Sequence, residues 1–406
     1  MWLIKLAWKN IWRNRSRTLI TMAAIFFAVI LSVLTSSLQD GVFDNLVKNM
    51  VSFYSGYIQV HKKGYWDEQV LDNSFEASYK MEQSVLTDHN ITAISPRLES
   101  FALASSAAIT KGCLVVGISP EEENKITRLK EKITEGAYLQ ENDPGILLSE
   151  GLSKRLQLYL HDTIILIGQG YQGATAAGKY PVNGILKFGS PELNDKALFM
   201  TLPLAQDFYG AYNRLTSYVM ALKDNSSLQK TSASIIDAGI GREYEVMTWE
   251  EMMPDVVQHI KTDTASSRII QGILYLLICF GIFGTLLMMM VERKFEIGML
   301  VAIGMKKIKL ILLLLIESVI TVVSGCLLGI IASMPVVWYL NRHPISLSGE
   351  TAKIYERFGF EPVFPASTET IHFITQGLIV LMIGLVLSLY PMVKVIRVRP
   401  VLAMKR

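Results

Sequence analysis

The chain has 406 residues, half of them hydrophobic and only 18% charged. Soluble globular proteins carry about 25% charged residues, so this balance argues against an ordinary soluble protein and for one that meets a membrane. The net charge of +3 is too small to call for nucleic acid, and its placement along the chain says more than its sum.

Residues 1–17 open with an amphipathic segment. On a helical wheel Leu3, Ile4, Trp8, Ile11 and Trp12 share one face, while Lys5, Lys9 and Arg13 recur opposite at i+4. Tryptophan and basic residues suit the headgroup region, so a helix lying on the inner leaflet is expected. A helix crosses the hydrocarbon core with about 20 apolar residues. The first run that qualifies defines a span at 18–39. It is longer than the usual signal-peptide core of roughly 7–15 residues and has no A-x-A-like site before Gln39, so an uncleaved anchor is expected.

Residues 40–265 have a mixed texture that predicts an α+β domain. Short apolar runs at Tyr57–His61, Cys113–Ile118, Thr163–Ile167, Pro181–Leu186 and Ala197–Thr201 predict strands. Helices are expected over Ser149–Gln157, with Ser149 as cap, and over Leu204–Gly210. A helix from Trp249 is expected to run without a break through His259 into the second span. Cys113 stands alone, and Cys279 and Cys326 lie in apolar runs, so no disulfide framework is expected and Cys113 reads as a buried thiol.

Three further spans follow at 266–291, 308–340 and 368–393. Between them lie a segment at 292–307, a short loop at 341–367 and a tail at 394–406. Lys5, Lys9, Arg13, Arg15 and Arg17 precede the first span. Arg293, Lys294, Lys306, Lys307 and Lys309 separate the second from the third, and Lys394, Arg397, Arg399, Lys405 and Arg406 follow the fourth. All three basic groups fall on one side of a four-span chain. The positive-inside rule makes that side the cytoplasm, with both termini inside and residues 40–265 and 341–367 outside.

Candidate chemistry is sparse. Gly173 to Lys179 fits G-x-x-x-x-G-K, but Tyr180 stands where Ser or Thr should hold magnesium. A flexible Gly/Ala-rich loop before a strand at Pro181 is expected there instead. His61, His89, His161, His259, His343 and His372 are scattered without metal-ligand spacing, and no G-x-S-x-G elbow occurs. No bound cofactor and no enzyme activity are expected. Glu317 is the one acid within a span, which marks either a coupling or substrate-contact carboxylate or a hydrogen bond to a neighbouring helix near the inner interface. Gly325, Gly329 and Ser333 recur every four residues and predict close approach of another helix.

The 292–307 segment alternates charge with Phe295, Ile297, Leu300 and Ile303. That stripe predicts a short helix across the membrane face, either docking in the groove of a soluble partner or serving as a solvated connection.

Glu292, Arg293, Glu296, Ile297, Gly298, Leu300, Ala302, Ile303 and Gly304 resemble the E-R-x-x-E-I-G-x-L-x-A-I-G motif of the FtsX-like/MacB-type permeases of ABC transporters. The resemblance extends over the whole chain. It includes the basic start W-K-N-I-W-R-N-R-S-R-T, the four-span plan with one large external domain, and Glu317 followed by Gly325 and Gly329. Gly145–Leu166 resembles the family's V-L-G-x-x-L-A-x-x-L-G-x-x-x-G-D stretch, with His161 replacing the second glycine. The close at Tyr390, Pro391, Arg399, Pro400 and Ala403 resembles its P-x-E-A-L finish, with Leu402 where the family often has Glu.

The resemblance implies the type VII architecture, in a bacterial inner membrane with the large domain periplasmic. It implies a second permease copy or paralogue and a cytoplasmic ABC ATPase dimer, with ATP bound in that partner. It makes 292–307 a coupling helix seated on the ATPase. The unfused plan and the strand after the first span look most like the lipoprotein-releasing LolC/LolE branch, which implies lipoprotein cargo and a periplasmic carrier. Peptide, antibiotic or lipid efflux and mechanotransmission to a cell-wall hydrolase are the family's other outcomes. A membrane-anchored sensor or adaptor is the alternative outside transport.

Overall fold

The computed structural model describes residues 2–13, 15–107, 109–350, 352, 355 and 362–396. The tail residues Arg397, Arg399, Lys405 and Arg406, and the 400–403 finish, lie outside the described residues. The chain forms two compact units. A helical unit draws on Met1–Asn45, Ile260–Ser346 and Val363–Arg406, and a sheet unit on Leu46–His259 and Leu347–Pro362.

Among the described residues, four helices are long and apolar enough to cross a membrane. They are Arg15–Met50, Pro254–Ala302, Lys307–Arg342 and Thr370–Ile396, preceded by a short helix Trp2–Arg13. Large side chains such as Phe27, Ile269, Phe280, Val291 and Leu378 stand more than half exposed on them. In water that would be costly; in hydrocarbon it is the expected outer surface. The inner face is a packed seam of Ile25, Val29, Ile282, Leu286, Val322 and Val380. Gln376 of the fourth helix accepts hydrogen bonds from Ser32 of the first and Tyr275 of the second, so one amide ties three helices together.

Three helix bounds differ from the sequence reading. The first long helix does not stop at residue 39 but runs to Met50, and Gly41 within it lies against the backbone of Pro365 and Ala366. The 292–302 stretch is not a separate short helix. It is the end of the second long helix, which holds because Ile297 is 3% exposed and Gly298 is also buried, offsetting the intrinsic weakness of glycine in a helix. Termination comes at Gly304, whose φ of +102° only glycine adopts cheaply. There Met305 N–H donates to Leu300 O and Gly304 N–H to Val301 O, both at 3.1 Å, the paired bonds of a Schellman cap. The helix expected from Trp249 is broken too. A Thr248–Glu251 capping box starts a short helix that ends at Met252, and the long helix begins anew at Pro254.

Among the described residues, the sheet unit carries twelve strands. In chain order these are β1 (Ile58–Lys62), β2 (Phe75–Glu76), β3 (Ile91–Ser106), β4 (Ile109–Ile118), β5 (Ile133–Gly136) and β6 (Ile146–Ser149). Then come β7 (Thr163–Gln169), β8 (Thr175–Leu186), β9 (Ala197–Thr201), β10 (Arg214–Leu215), β11 (Ser217–Leu222) and β12 (Tyr244–Thr248). Ten of them form one mixed sheet in the order β12-β1-β11-β3-β4-β9-β6-β8-β5, with β7 bridging β3 and β8, while β2 pairs with β10. β4 shows the strand period directly: Cys113 and Val115 enter one core with Leu98, Leu148 and Leu166, while Val116 and Ile118 enter another with Leu147 and Phe199. Burial pushes the Cys113 thiol up to about 12, which keeps it a neutral hydrophobe.

The Gly/Ala-rich stretch is not a loop. Gly178, Lys179 and Tyr180 pair with Leu166, Ile165 and Ile164 of β7, so their backbone groups serve the ladder rather than a phosphate. Ser149 occupies the N-cap position of the Glu150–Leu156 helix, but its side chain makes no cap hydrogen bond.

Candidate functional site

The motif residues and Glu317 meet in the helical unit. Glu317 sits in the Lys307–Arg342 helix and is 5% exposed. An ionised carboxylate so placed needs a partner, because desolvation alone costs several kcal/mol per ion (about 3–5 kcal/mol if a pair is broken). It has two partners. Arg293, at the end of the second long helix and itself buried, forms an ion pair with Glu317 Oε2. Asn10 Nδ2, on the Trp2–Arg13 helix, donates to Glu317 Oε1 at 2.8 Å.

A second link extends the clasp outward. Arg13 donates to Glu296 Oε2 at 2.9 Å, and Arg293 Nε lies 3.8 Å from the same oxygen. Charges therefore alternate along Arg13, Glu296, Arg293 and Glu317, and three helices are stitched through them. A cavity of about 20 Å³ lies beside Arg293, Glu317 and Thr321, which is room for one water molecule.

The apolar side of the same junction packs separately. Ala7 of the short helix, Ile297, and Leu310, Leu313 and Leu314 of the third long helix form one buried cluster, with Leu300 against it. The short helix thus turns Leu3, Ala7 and Asn10 toward the bundle, and leaves Ile4, Trp8 and Trp12 more than half exposed. Those three, with Lys5 and Lys9, are the residue types that sit at a headgroup surface.

The candidate coupling residues consequently divide into two faces. Arg293, Ile297 and Gly298 are buried, and Leu300 and Glu296 are half-buried. Glu292, Ala302 and Gly304 are exposed, together with Phe295, Met299 and Ile303 at 55%, 42% and 77%. The stripe of Ile297 and Leu300 therefore belongs to the bundle, and the outward apolar face is a different set of residues. Gly304 acts as the helix cap described above.

Gly325 and Gly329 lie against the first long helix. A Cβ on Gly325 would stand 3.0 Å from Ile25 Cβ, and one on Gly329 2.8 Å from Val29 Cβ. Sequence reasoning missed Asn10, and took Arg13 as part of the basic face of the first helix without a carboxylate partner. The available signal was that an acid within a span must find a donor, and the basic start lies beside the same membrane face.

Residues 18–238 match the family of MacB-like periplasmic core domains, more than half of the chain. Residues 268–400 match the FtsX-like permease C-terminal family. The lipoprotein-releasing system transmembrane protein LolC of Neisseria meningitidis is 21% identical over 262 residues, 62% of this chain and 62% of LolC. The chain thus spans under two thirds of that relative. LolE of Haemophilus influenzae, from the same kind of system, is 21% identical over 342 residues, 79% of each chain. The crystal structure of the periplasmic region of MacB from Actinobacillus actinomycetemcomitans superposes with a TM-score of 0.36 at 12% identity, covering 52% of this chain and 96% of that one.

Proposed function

The chain belongs to the FtsX-like, MacB-type family of ABC transporter permeases, and from that membership we propose that it passes the motion of a separate cytoplasmic ATPase dimer to its sheet unit. The chain itself is non-catalytic in this reading. It works with a second permease copy or a paralogue, in a bacterial inner membrane, with both termini cytoplasmic and the sheet unit periplasmic.

One observation carries the coupling role. The Arg13–Glu296–Arg293–Glu317 clasp fastens the end of the second long helix to two neighbours while Phe295, Met299 and Ile303 stay uncovered. A junction that is rigid inside and apolar outside is what a docking partner needs in order to push on the helices. ATP then acts by favouring one of two helix arrangements over the other.

The cargo reading is lipoprotein release toward a periplasmic carrier. Its support is the likeness to LolC and LolE, whose names state that activity for those proteins. The test is purification of the complex in mild detergent, followed by mass spectrometry of proteins and acylated species together. A copurifying ATPase whose activity the permease stimulates, with triacylated protein bound, supports both parts. An ATPase with no acylated cargo overturns the cargo reading alone, and no ATPase overturns the coupling role.

A further inference from the structure

At about 3.6 residues per turn, the Trp2–Arg13 helix presents three stripes. Leu3, Ala7 and Asn10 face the bundle. Ile4, Trp8 and Trp12 form the second stripe, more than half exposed, with the two indole rings edge to face at 6.1 Å between centroids. Lys5, Lys9 and Arg13 form the third, also exposed, between the tryptophans and the edge of the bundle face that holds Asn10.

Residues 1–17 contain no Asp or Glu, so nothing on the segment itself offsets this charge. Neither Lys5 nor Lys9 meets a carboxylate among the described residues. Two kinds of surface complement such a stripe, an acidic protein and an anionic lipid leaflet. The tryptophans favour lipid, since an indole and an ammonium are stable side by side at the headgroup layer. Leu19 and Ile20, a few residues on, begin the exposed apolar surface of the first long helix, the surface that hydrocarbon covers.

Arg13 stands where the basic stripe meets the bundle, and its bond to Glu296 is the weak link of the clasp. The two side chains are 61% and 38% exposed. An exposed ion pair contributes little. Each basic side chain at an anionic lipid surface strengthens association about fivefold, at least as much as such a pair supplies. Losing Arg13 does not strand Glu296, because Arg293 Nε stays 3.8 Å from the same oxygen. The inner half of the clasp has no such freedom, since Arg293 and Glu317 are buried and hold one another.

We propose that the stripe of Lys5, Lys9 and Arg13 binds anionic phospholipid headgroups of the leaflet that receives Trp8 and Trp12, and that a headgroup phosphate displaces Glu296 from Arg13. The clasp then has a fixed inner half and an outer half that lipid charge opens. The lipid site needs no ATPase. Only its consequence, a coupling segment released at Glu296 when the leaflet is anionic, rests on the coupling role.

The test is tryptophan quenching in nanodiscs that hold the full chain without an ATPase. Brominated phosphatidylglycerol or brominated phosphatidylcholine replaces part of the lipid. The quenching lost on combining Trp8→Phe with Trp12→Phe isolates the short helix. The ratio of the two association constants measures the preference for the anionic headgroup. At low salt the parent should prefer phosphatidylglycerol about tenfold or more. Lys5→Gln and Lys9→Gln should each lower the preference about fivefold, while Lys5→Arg and Lys9→Arg keep it.

Glu296→Gln removes the competitor for Arg13 and should raise the preference, by up to about fivefold, a gain that Arg13→Gln in the same chain abolishes. No preference in the parent, or one that the glutamine variants at Lys5 and Lys9 leave intact, overturns the lipid site and makes an acidic protein surface the partner. A Glu296→Gln chain with the parent's preference overturns the exchange at Arg13. Either failure leaves the coupling role standing, because that role is read by ATPase stimulation alone.

Discussion

Arg293 and Glu317 form an ion pair between the second and third long helices, buried at both ends, and Asn10 donates to the same carboxylate from a third helix. The pair joins residues that sequence separates by a whole inter-helix turn. Each charge is tolerable only because the other is present.

Removing one partner should therefore be worse than removing both. Glu317→Ala leaves a buried guanidinium uncompensated and is expected to lose about 3–5 kcal/mol of stability. Arg293→Met combined with Glu317→Leu should recover most of that, as read by thermal unfolding in detergent. A double variant no more stable than Glu317→Ala would show that the pair is not what holds the junction.

The two faces of the coupling segment should separate in mutagenesis. Ile297→Asp buries a charge in the cluster around Ala7 and Leu313, and should reduce stability by several kcal/mol or more. Met299→Asp and Ile303→Asp lie on the exposed face and should insert and unfold like the parent. They should cut stimulation of the partner ATPase about tenfold, the usual effect of losing an interface anchor. Full stimulation with both exposed variants would place docking elsewhere.

Glycines on the third helix and those on the second should respond in opposite ways. Gly329→Leu must displace Val29 and is expected to cost about 1–3 kcal/mol. Gly281→Leu meets nothing within 4 Å and should be neutral or raise helix stability by about 1 kcal/mol. Thermal melts of the two variants in the same detergent decide it.

The apolar runs and the strand at Cys113–Ile118 were legible because hydropathy and alternation are local properties. The helix end was not. A stripe of Ile297 and Leu300 looks the same whether it faces a partner protein or its own bundle, and only the packing of Ala7 and Leu310 decides. Asn10 and Glu317 are 307 residues apart, so no periodicity could join them. The stretch around Gly178 reads as a loop by composition, yet pairing with β7 draws it into a strand, since tertiary context overrides weak local preference.

His61 should make the stability of the sheet unit depend on acid. Burial pushes its imidazole down to about 4, against about 6.5 in an unfolded chain. The unfolded chain therefore takes up the proton first as pH falls. The contribution is fully present above about pH 6.5 and is lost progressively toward pH 4, amounting to about 3 kcal/mol. His61→Phe keeps a ring between Tyr65 and Trp66 but removes the titration. Urea unfolding followed by tryptophan fluorescence should show a shallower loss for that variant between pH 6.5 and 4. Identical slopes would mean that His61 is protonated within the fold, drawn toward the Glu245 carboxylate that stands 4.0 Å from Nδ1.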